Sequence, residues 1–239
     1  MAARLPSLSF FFPALNEEPN VEAVLDAALT ILPRFTDNFE VIVIDDGSTD
    51  RTGDIADLVA ARDARVRVVH HGRRRGYGGA VRSGLQSATK EYVFFTDGDR
   101  QFDIADLARL LPSVDVAEAV IGYRIKRRDP FRRLVVAWVY KWAIRILFLV
   151  RWRDVDCAFK LFRRDIFARV PLERVRSNGA FFSPELLITL GRAGIRMREV
   201  GVPHYPRAAE KPKGASPQVI LRAMRDLLRL RLRLWGLPV

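Results

Sequence analysis

The sequence predicts an α/β fold, a mostly parallel sheet with flanking helices. Three observations carry this. Short β-branched or aromatic runs recur along the first half of the chain, helical patterns fill the gaps between them, and several of the runs end abruptly in carboxylates. Strands alternating with helices imply parallel pairing through right-handed crossovers. In such a sheet ligands bind outside the carboxyl ends of the strands, so acidic strand ends fall where a site is expected. With 239 residues, 49% hydrophobic and 28% charged, the chain is long enough for one sizeable core and is not of the disordered class.

Each element has its own reason. Leu8 to Phe12 reads as a buried strand closed by Pro13. Asn16 or Asn20 is placed to cap a helix through about Leu32, whose Val21, Val24, Leu25, Ala28, Leu29 and Leu32 share one face. Glu40 to Ile44 is a second strand, ending in Asp45-Asp46-Gly47-Ser48-Thr49-Asp50; Ser48 or Asp50 caps the next helix, to about Ala61. Val66 to His70 is a third strand. A glycine- and arginine-rich loop, Gly72 to Gly79, precedes a helix from Gly79 or Ala80 to about Ala88. Tyr92 to Thr96 is the fourth strand and ends in Asp97-Gly98-Asp99. A helix over Ile104 to Leu111 and a fifth strand over Val116 to Gly122 follow.

At Tyr123 the alternation stops. Tyr123 to Arg133 carries six basic residues, and Leu134 to Val150 is apolar and aromatic but broken by Lys141 and Arg145. A spanning helix needs about 20 mostly apolar residues. The stretch is shorter and fits either a helix in a membrane interface, with Trp138, Tyr140 and Trp142 at headgroup depth, or an amphipathic helix packed on the sheet. Asp154 to Phe162 reads as a loop entering a strand, Asp165 to Val170 as a short helix, Pro184 to Gly194 as a longer one and Arg196 to Val202 as a late strand. Arg207 to Pro217 is a loop, and Gln218 to Trp235 an arginine-rich final helix.

The net charge of +12 implies an anionic partner: nucleic acid, acidic lipid or a phosphorylated substrate. No RNA-binding motif or aromatic platform accompanies it, so no nucleic acid is expected. Cys157 is alone, so no internal disulfide forms; it suits a reducing compartment and the role of a small buried hydrophobe. His70, His71 and His204 lack zinc spacing. No signal peptide is expected at the N-terminus, and no long apolar tail follows Trp235.

Two carboxylates with a glycine between them, Asp97 and Asp99, can converge on a hard cation such as Mg²⁺ or Mn²⁺ that still holds water and phosphate oxygens; a turn with two solvated aspartates is the plainer alternative. The context decides. Pro13-Ala14-Leu15-Asn16-Glu17, Asp45-Asp46-Gly47-Ser48-Thr49-Asp50, Arg75-Gly76-Tyr77-Gly78-Gly79-Ala80 and Asp97-Gly98-Asp99-Arg100-Gln101 stand in one order after successive strands. This resembles the family 2 glycosyltransferases of GT-A fold, a Rossmann-like architecture, and among them the dolichyl- or polyprenyl-phosphate sugar synthases. The resemblance covers roughly residues 8 to 207. It implies a single glycosyltransferase domain over 1–239, with a nucleotide-sugar half (8–122), an acceptor half with an interface helix (123–217, helix 134–150) and a basic C-terminal helix (218–239).

The resemblance also implies roles. Pro13, Leu15, Glu17, Ile44 and Asp46 would line the nucleobase pocket. Asp97 and Asp99 would flank the ribose and diphosphate, with Gly98 between them in the same donor-binding set; Asp99 would hold the metal with Asp97, Gln101 would stand beside it, and Glu185 would approach the same metal. Gly76 to Gly79 is read as a structural turn. Arg124 and Arg132 match two arginines that hold the acceptor phosphate, a task suited to a planar fork that binds phosphate bidentately. Asp154 or Asp156 matches an acidic position before Cys157-Ala158-Phe159. Arg207 and Lys213, or Lys211, stand for the last basic acceptor contacts, because Pro217 occupies the position of the family's lysine. The implied reaction is an inverting, metal-dependent transfer from a GDP- or UDP-sugar to a lipid phosphate, on the cytoplasmic face of a membrane with the protein bound peripherally. A hydroxyl of carbohydrate or protein is the alternative acceptor, but it needs a general base. A phosphate monoester is already largely dianionic at pH 7 and needs none. Glu185 is the only acidic residue between Ser177 and Leu190, which fits the phosphate.

Overall fold

The computed structural model describes residues 4–125, 131–206 and 217–236. Seven strands form one sheet: β1 (Leu8–Ala14), β2 (Phe39–Asp45), β3 (Val66–His70), β4 (Tyr92–Phe95), β5 (Ala119–Ile125), β6 (Lys160–Arg163) and β7 (Met197–Pro203). Their order is β3-β2-β1-β4-β6-β5-β7. All neighbours pair in parallel except β6, which runs antiparallel to β4 and β5. That single reversal matters for the site. It brings the first residue of β6, Lys160, into register with Phe95 at the carboxyl end of β4.

The helices are α1 (Glu18–Ile31), α2 (Thr52–Ala60), α3 (Tyr77–Ser87), α4 (Phe131–Phe148), α5 (Ile166–Arg169), α6 (Phe182–Arg192) and α7 (Pro217–Leu234). Strands with both faces covered read as continuous apolar runs, and β1 and β2 show why. Phe10, Phe12, Val41 and Val43 face a core shared with α1 and α2; Phe11, Ile42 and Ile44 face a second core shared with α3 and α6. A third core joins Ile144 of α4 to Leu187 and Ile188 of α6 and to Ala223, Leu227 and Leu230 of α7.

Several local expectations are corrected. Neither Asn16 nor Asn20 caps α1. Glu17 stands at that position without a side-chain cap, while Asn16 adopts a left-handed φ of 53° and its Oδ1 accepts the Thr49 amide at 2.8 Å. Ser48 and Asp50 are not the cap of α2 either, which is Arg51; Asp50 still accepts the Thr52 amide at 3.0 Å from one residue before it. The helix expected over 104–111 is a 3₁₀ segment, Ile104–Arg109, followed by another, Leu111–Ser113. Pro112 lacks an N–H and would strike the carbonyl four residues back, so an α-helix cannot run through it. α3 begins at Tyr77, two residues before Gly79, and β5 begins at Ala119, leaving Val116 exposed.

α4 packs one side on the body of the protein and leaves other apolar side chains exposed. Ile144 is buried, with Tyr140 and Leu147 packed on the third core, whereas Trp138, Trp142, Ile146 and Leu149 are exposed. Trp138 and Trp142 meet edge to face at 6.1 Å. Among the described residues no helix is long and apolar enough to cross a membrane.

Candidate active site

The site is built at the carboxyl ends of β1, β2 and β4. Strand β4 stops at Phe95 and the chain turns at once, carrying Asp97 and Asp99 out of the sheet edge. Gly98 is required there. A Cβ on it would lie 3.0 Å from the Phe12 ring and 3.1 Å from the Pro13 carbonyl oxygen, so only glycine lets the turn press against the end of β1. Arg100 follows in a left-handed conformation, φ 60°, which a non-glycine residue adopts at a cost of about 1 kcal/mol. The turn is tied down by Asp99, which accepts the Gln101 amide at 3.1 Å, and by Gln101, whose carbonyl accepts the Tyr205 amide at 2.9 Å and whose Nε2 donates to the Tyr205 carbonyl at 3.2 Å.

Asp97 is the electrostatic centre. Burial, together with the neighbouring charge of Asp99, pushes its carboxyl up to about 7, against weaker opposition from the Tyr77 hydroxyl and from Lys160 and Arg124. Among the described residues its Oδ1 is buried without a hydrogen-bond partner, and so is Oγ1 of Thr96 beside it. An uncompensated oxygen in a low-dielectric setting is costly. Hard oxygen donors of this kind fit a divalent cation, and Mg²⁺ commonly takes only one or two carboxylates with water and substrate phosphates.

Around the pair lie fixed cations. Lys160 is fully buried, its ammonium donating to the Cys157 carbonyl and lying 5.6 Å from the Phe95 ring centre. Burial pulls its pKa down, and Asp154, Asp156 and Asp97 pull it back up. Arg124, on β5, forks onto Asp154 with Nε at 2.7 Å and Nη2 at 2.8 Å. Burial alone would lower its pKa, but this ion pair holds it above the ordinary value. Burial also pushes the Cys157 thiol up to about 12, so it is an inert packing group.

The other expected residues fall as follows. Pro13 and Leu15 are half-buried at the end of β1, and Glu17 accepts from Asn20 Nδ2 at 2.7 Å. Asp46 is buried and heavily used. Its Oδ1 accepts the Arg75 amide at 2.8 Å and lies 2.7 Å from His71 Nδ1, and its Oδ2 accepts the Gly76 amide at 2.8 Å. It therefore clamps the 72–76 loop. Gly76 needs its φ of 85° for this, and a Cβ there would be 2.7 Å from the Asn178 carbonyl oxygen. The Ile44 side chain is fully buried in the core shared with α3.

Glu185 does not join the carboxylate pair. It is fully buried and accepts the Arg176 amide at 3.1 Å, the Ser177 amide at 2.8 Å, the Ser177 hydroxyl and Arg233 Nη2 at 2.7 Å. Among the described residues no group of three His, Cys, Asp or Glu side chains forms a metal cluster. The side chain of Arg132, and all of Arg207, Lys211 and Lys213, lie outside the described residues. Sequence reasoning missed Lys160, His71 and Tyr77. The one available signal was a charged residue, Lys160, opening an apolar strand.

Comparisons with known proteins bear on this arrangement. Residues 9–170 match the family model described as glycosyl transferase family 2. The chain is 33% identical over 213 residues to glycosyltransferase AglD of Haloferax volcanii, covering 85% of this chain and 34% of that protein. It is 28% identical to an undecaprenyl-phosphate mannosyltransferase of Micrococcus luteus, covering 94% of this chain and 92% of the other. It thus spans about a third of the first relative and nearly all of the second. Glucosyl-3-phosphoglycerate synthase of Mycobacterium tuberculosis, solved with Mn²⁺, uridine diphosphate and glucosyl-3-phosphoglycerate, superposes with a TM-score of 0.71 at 22% identity over 98% of this chain and 81% of its own. That last likeness is one of fold.

Proposed function

The chain belongs to glycosyl transferase family 2, and on that premise we propose that it moves a sugar from a nucleoside-diphosphate sugar to the phosphate of a polyprenyl or dolichyl lipid. The observation that carries this is the Asp97–Asp99 pair at the end of β4, with Asp97 Oδ1 buried and, among the described residues, unpartnered, and with Arg124 held near it. The name of the Micrococcus relative supports the acceptor, since that protein is similar along almost the whole chain.

Asp97 and Asp99 would hold Mg²⁺ or Mn²⁺, with Gln101 beside them; bound there, the cation supplies positive charge for the leaving diphosphate. The chain's own groups do the rest. The ends of β1 and β2, with Pro13, Leu15, Glu17 and Asp46, form the rim at which the nucleoside is held, and Asp46 acts by fixing the Arg75–Gly76 turn. Arg124, locked by Asp154, presents its remaining N–H donors to the acceptor phosphate, and Arg132, Arg207 and Lys213 complete that contact. A dianionic phosphate attacks without a general base, so the task is to hold two anions in line and stabilise the departing one. Attack opposite the leaving group inverts the anomeric centre. The exposed Trp138, Trp142 and Ile146 of α4, with Leu149 just after it, suit a protein working peripherally at the cytoplasmic face of a membrane, where such an acceptor resides.

The test is a panel of radiolabelled GDP- and UDP-sugars with a short polyprenyl phosphate, followed by organic extraction. One donor giving an acid-labile lipid product is expected. Transfer only to carbohydrate or protein hydroxyls, or no transfer with any donor, overturns the reading.

A further inference from the structure

Outside the carboxylate site the chain builds a second, purely cationic recess. A groove of about 400 Å³ is lined by Arg73, Arg74, Arg75 and Arg82, with Ser83, Gln86 and Asn178 among the rest and no carboxylate. Arg82, Ser83 and Gln86 lie on the side of α3 opposite Ala80, Val81, Gly84 and Leu85, which pack on the sheet. Neither Asp97 nor Asp99 lines it.

The wall is held in place. Asp46 fixes the Arg75 and Gly76 amides, and Gly47 brings its loop to within 3.0 Å of the Arg74 nitrogen, measured from where a Cβ would stand. Gly79 lets the stem of Arg75 cross the first turn of α3, at a point where a Cβ would meet it at 2.7 Å. Arg82 is pinned on neutral acceptors, the Val175 carbonyl at 2.5 Å, the Ser177 carbonyl at 3.1 Å and Asn178 Oδ1 at 2.8 Å. Among the described residues the side-chain bonds of Arg82 go to neutral acceptors alone, and the only carboxylate charges that reach it, those of Glu185 and Glu173, act from outside the groove lining. Four like charges around one recess repel one another unless an anion sits between them. Planar guanidinium donors backed by hydroxyl and amide groups match the several oxygens of a phosphate.

We propose that this groove is a second anion site, separate from the carboxylate pair, that binds a phosphate monoester. The chemistry is the same whether the monoester belongs to a free metabolite or to a lipid headgroup, and the test has an arm for each. The full chain is titrated calorimetrically with glycerol 3-phosphate in low salt and EDTA, which removes any metal-borne phosphate binding. In parallel it is sedimented with vesicles containing phosphatidic acid, a monoester, or phosphatidylglycerol, a diester, at matched surface charge. Saturable binding of glycerol 3-phosphate, or preference for phosphatidic acid over phosphatidylglycerol, is expected. Arg73→Gln/Arg74→Gln, a change of two exposed residues, should weaken that binding about tenfold or more, the worth of a charge-assisted hydrogen bond, with an unchanged unfolding midpoint. Arg82→Gln is the second variant and should act in the same direction. Absence of saturable binding together with equal sedimentation by both lipids would reduce the groove to a diffuse basic surface and overturn the proposal. So would full binding by the double variant. Because the readout is binding without metal, failure of the transfer reaction leaves it unaffected.

Discussion

Replacing Arg233 by alanine tests what Glu185 is for. Glu185 is fully buried on α6, and Arg233 reaches it from α7, 48 residues further on, with Nη2 at 2.7 Å. Removing one partner of a buried ion pair typically costs about 3–5 kcal/mol, because the other charge is left in low dielectric. Two features pull the figure down here. The Arg233 side chain is 20% exposed, and three donors from Arg176 and Ser177 still reach the carboxylate. A loss of about 2–3 kcal/mol is therefore expected for Arg233→Ala in urea unfolding of the full chain. Glu185→Gln/Arg233→Met should lose less than the sum of its single changes, with a coupling of about 1–2 kcal/mol. An Arg233→Ala loss below about 0.5 kcal/mol, or an additive cycle, refutes the assignment. Glu185→Gln should also leave the Mn²⁺ concentration for half-maximal activity unmoved; a large shift would return this carboxylate to the metal.

Asp97 gives a pH prediction. Its folded carboxyl sits near 7 against an ordinary 3.8, so the folded state grips a proton that the unfolded chain has released. The resulting cost is absent below about pH 4, grows between about pH 4 and 7 and is complete above. Asp97→Asn in metal-free buffer should then stabilise the protein at pH 8 by on the order of 2–4 kcal/mol and hardly at pH 4, while abolishing transfer; a pH-independent difference would refute the burial argument. Arg124→Lys keeps the charge but loses the fork on Asp154, so KM for the lipid phosphate should rise about tenfold or more with nucleotide affinity unchanged. Equal loss of both would move Arg124 to the donor side. Trp138→Ser/Trp142→Ser should remove most of the salt-resistant binding to anionic liposomes and leave the salt-sensitive part, whereas an unchanged salt-resistant fraction would make these side chains bystanders.

Much of the sheet could be read directly because its strands are buried on both faces. Phe10 to Phe12 and Val41 to Ile44 have no polar interruption, so the runs declare themselves and the acidic residues after them mark the site end. What sequence could not supply was long-range pairing. Nothing in Cys157 to Phe162 says that β6 inserts backwards between β4 and β5, and without that reversal Lys160 has no reason to lie beside the carboxylates. The surroundings of Glu185 were hidden for the same reason. The resemblance implied an approach to the metal, and the partners the structure gives it, Ser177 and Arg233, become neighbours only when α6 and α7 pack. Strict alternation along β2 sends the Ile44 side chain into the α3-side core.

The antiparallel insertion of β6 also accounts for the charge layout. A fully parallel sheet would leave the start of that strand at the far edge; reversed, it delivers Lys160, and the preceding loop with Asp154 and Asp156, to the end where β4 releases Asp97. Asp154 then fixes Arg124 in one orientation, and Lys160 lies close enough to Asp97 to oppose, in part, the upward push of burial on its carboxyl. These charges are positioned by folding, before any ligand arrives, so no reorganisation is needed when two anions are brought together. The proposed reaction, between a phosphate and a diphosphate-linked sugar, would demand this arrangement more than it would demand a base. The site spends its buried ionisable groups accordingly: its carboxylates hold arginines, amides and an open oxygen vertex, and the one acid on α6 is occupied in bracing the C-terminal helix.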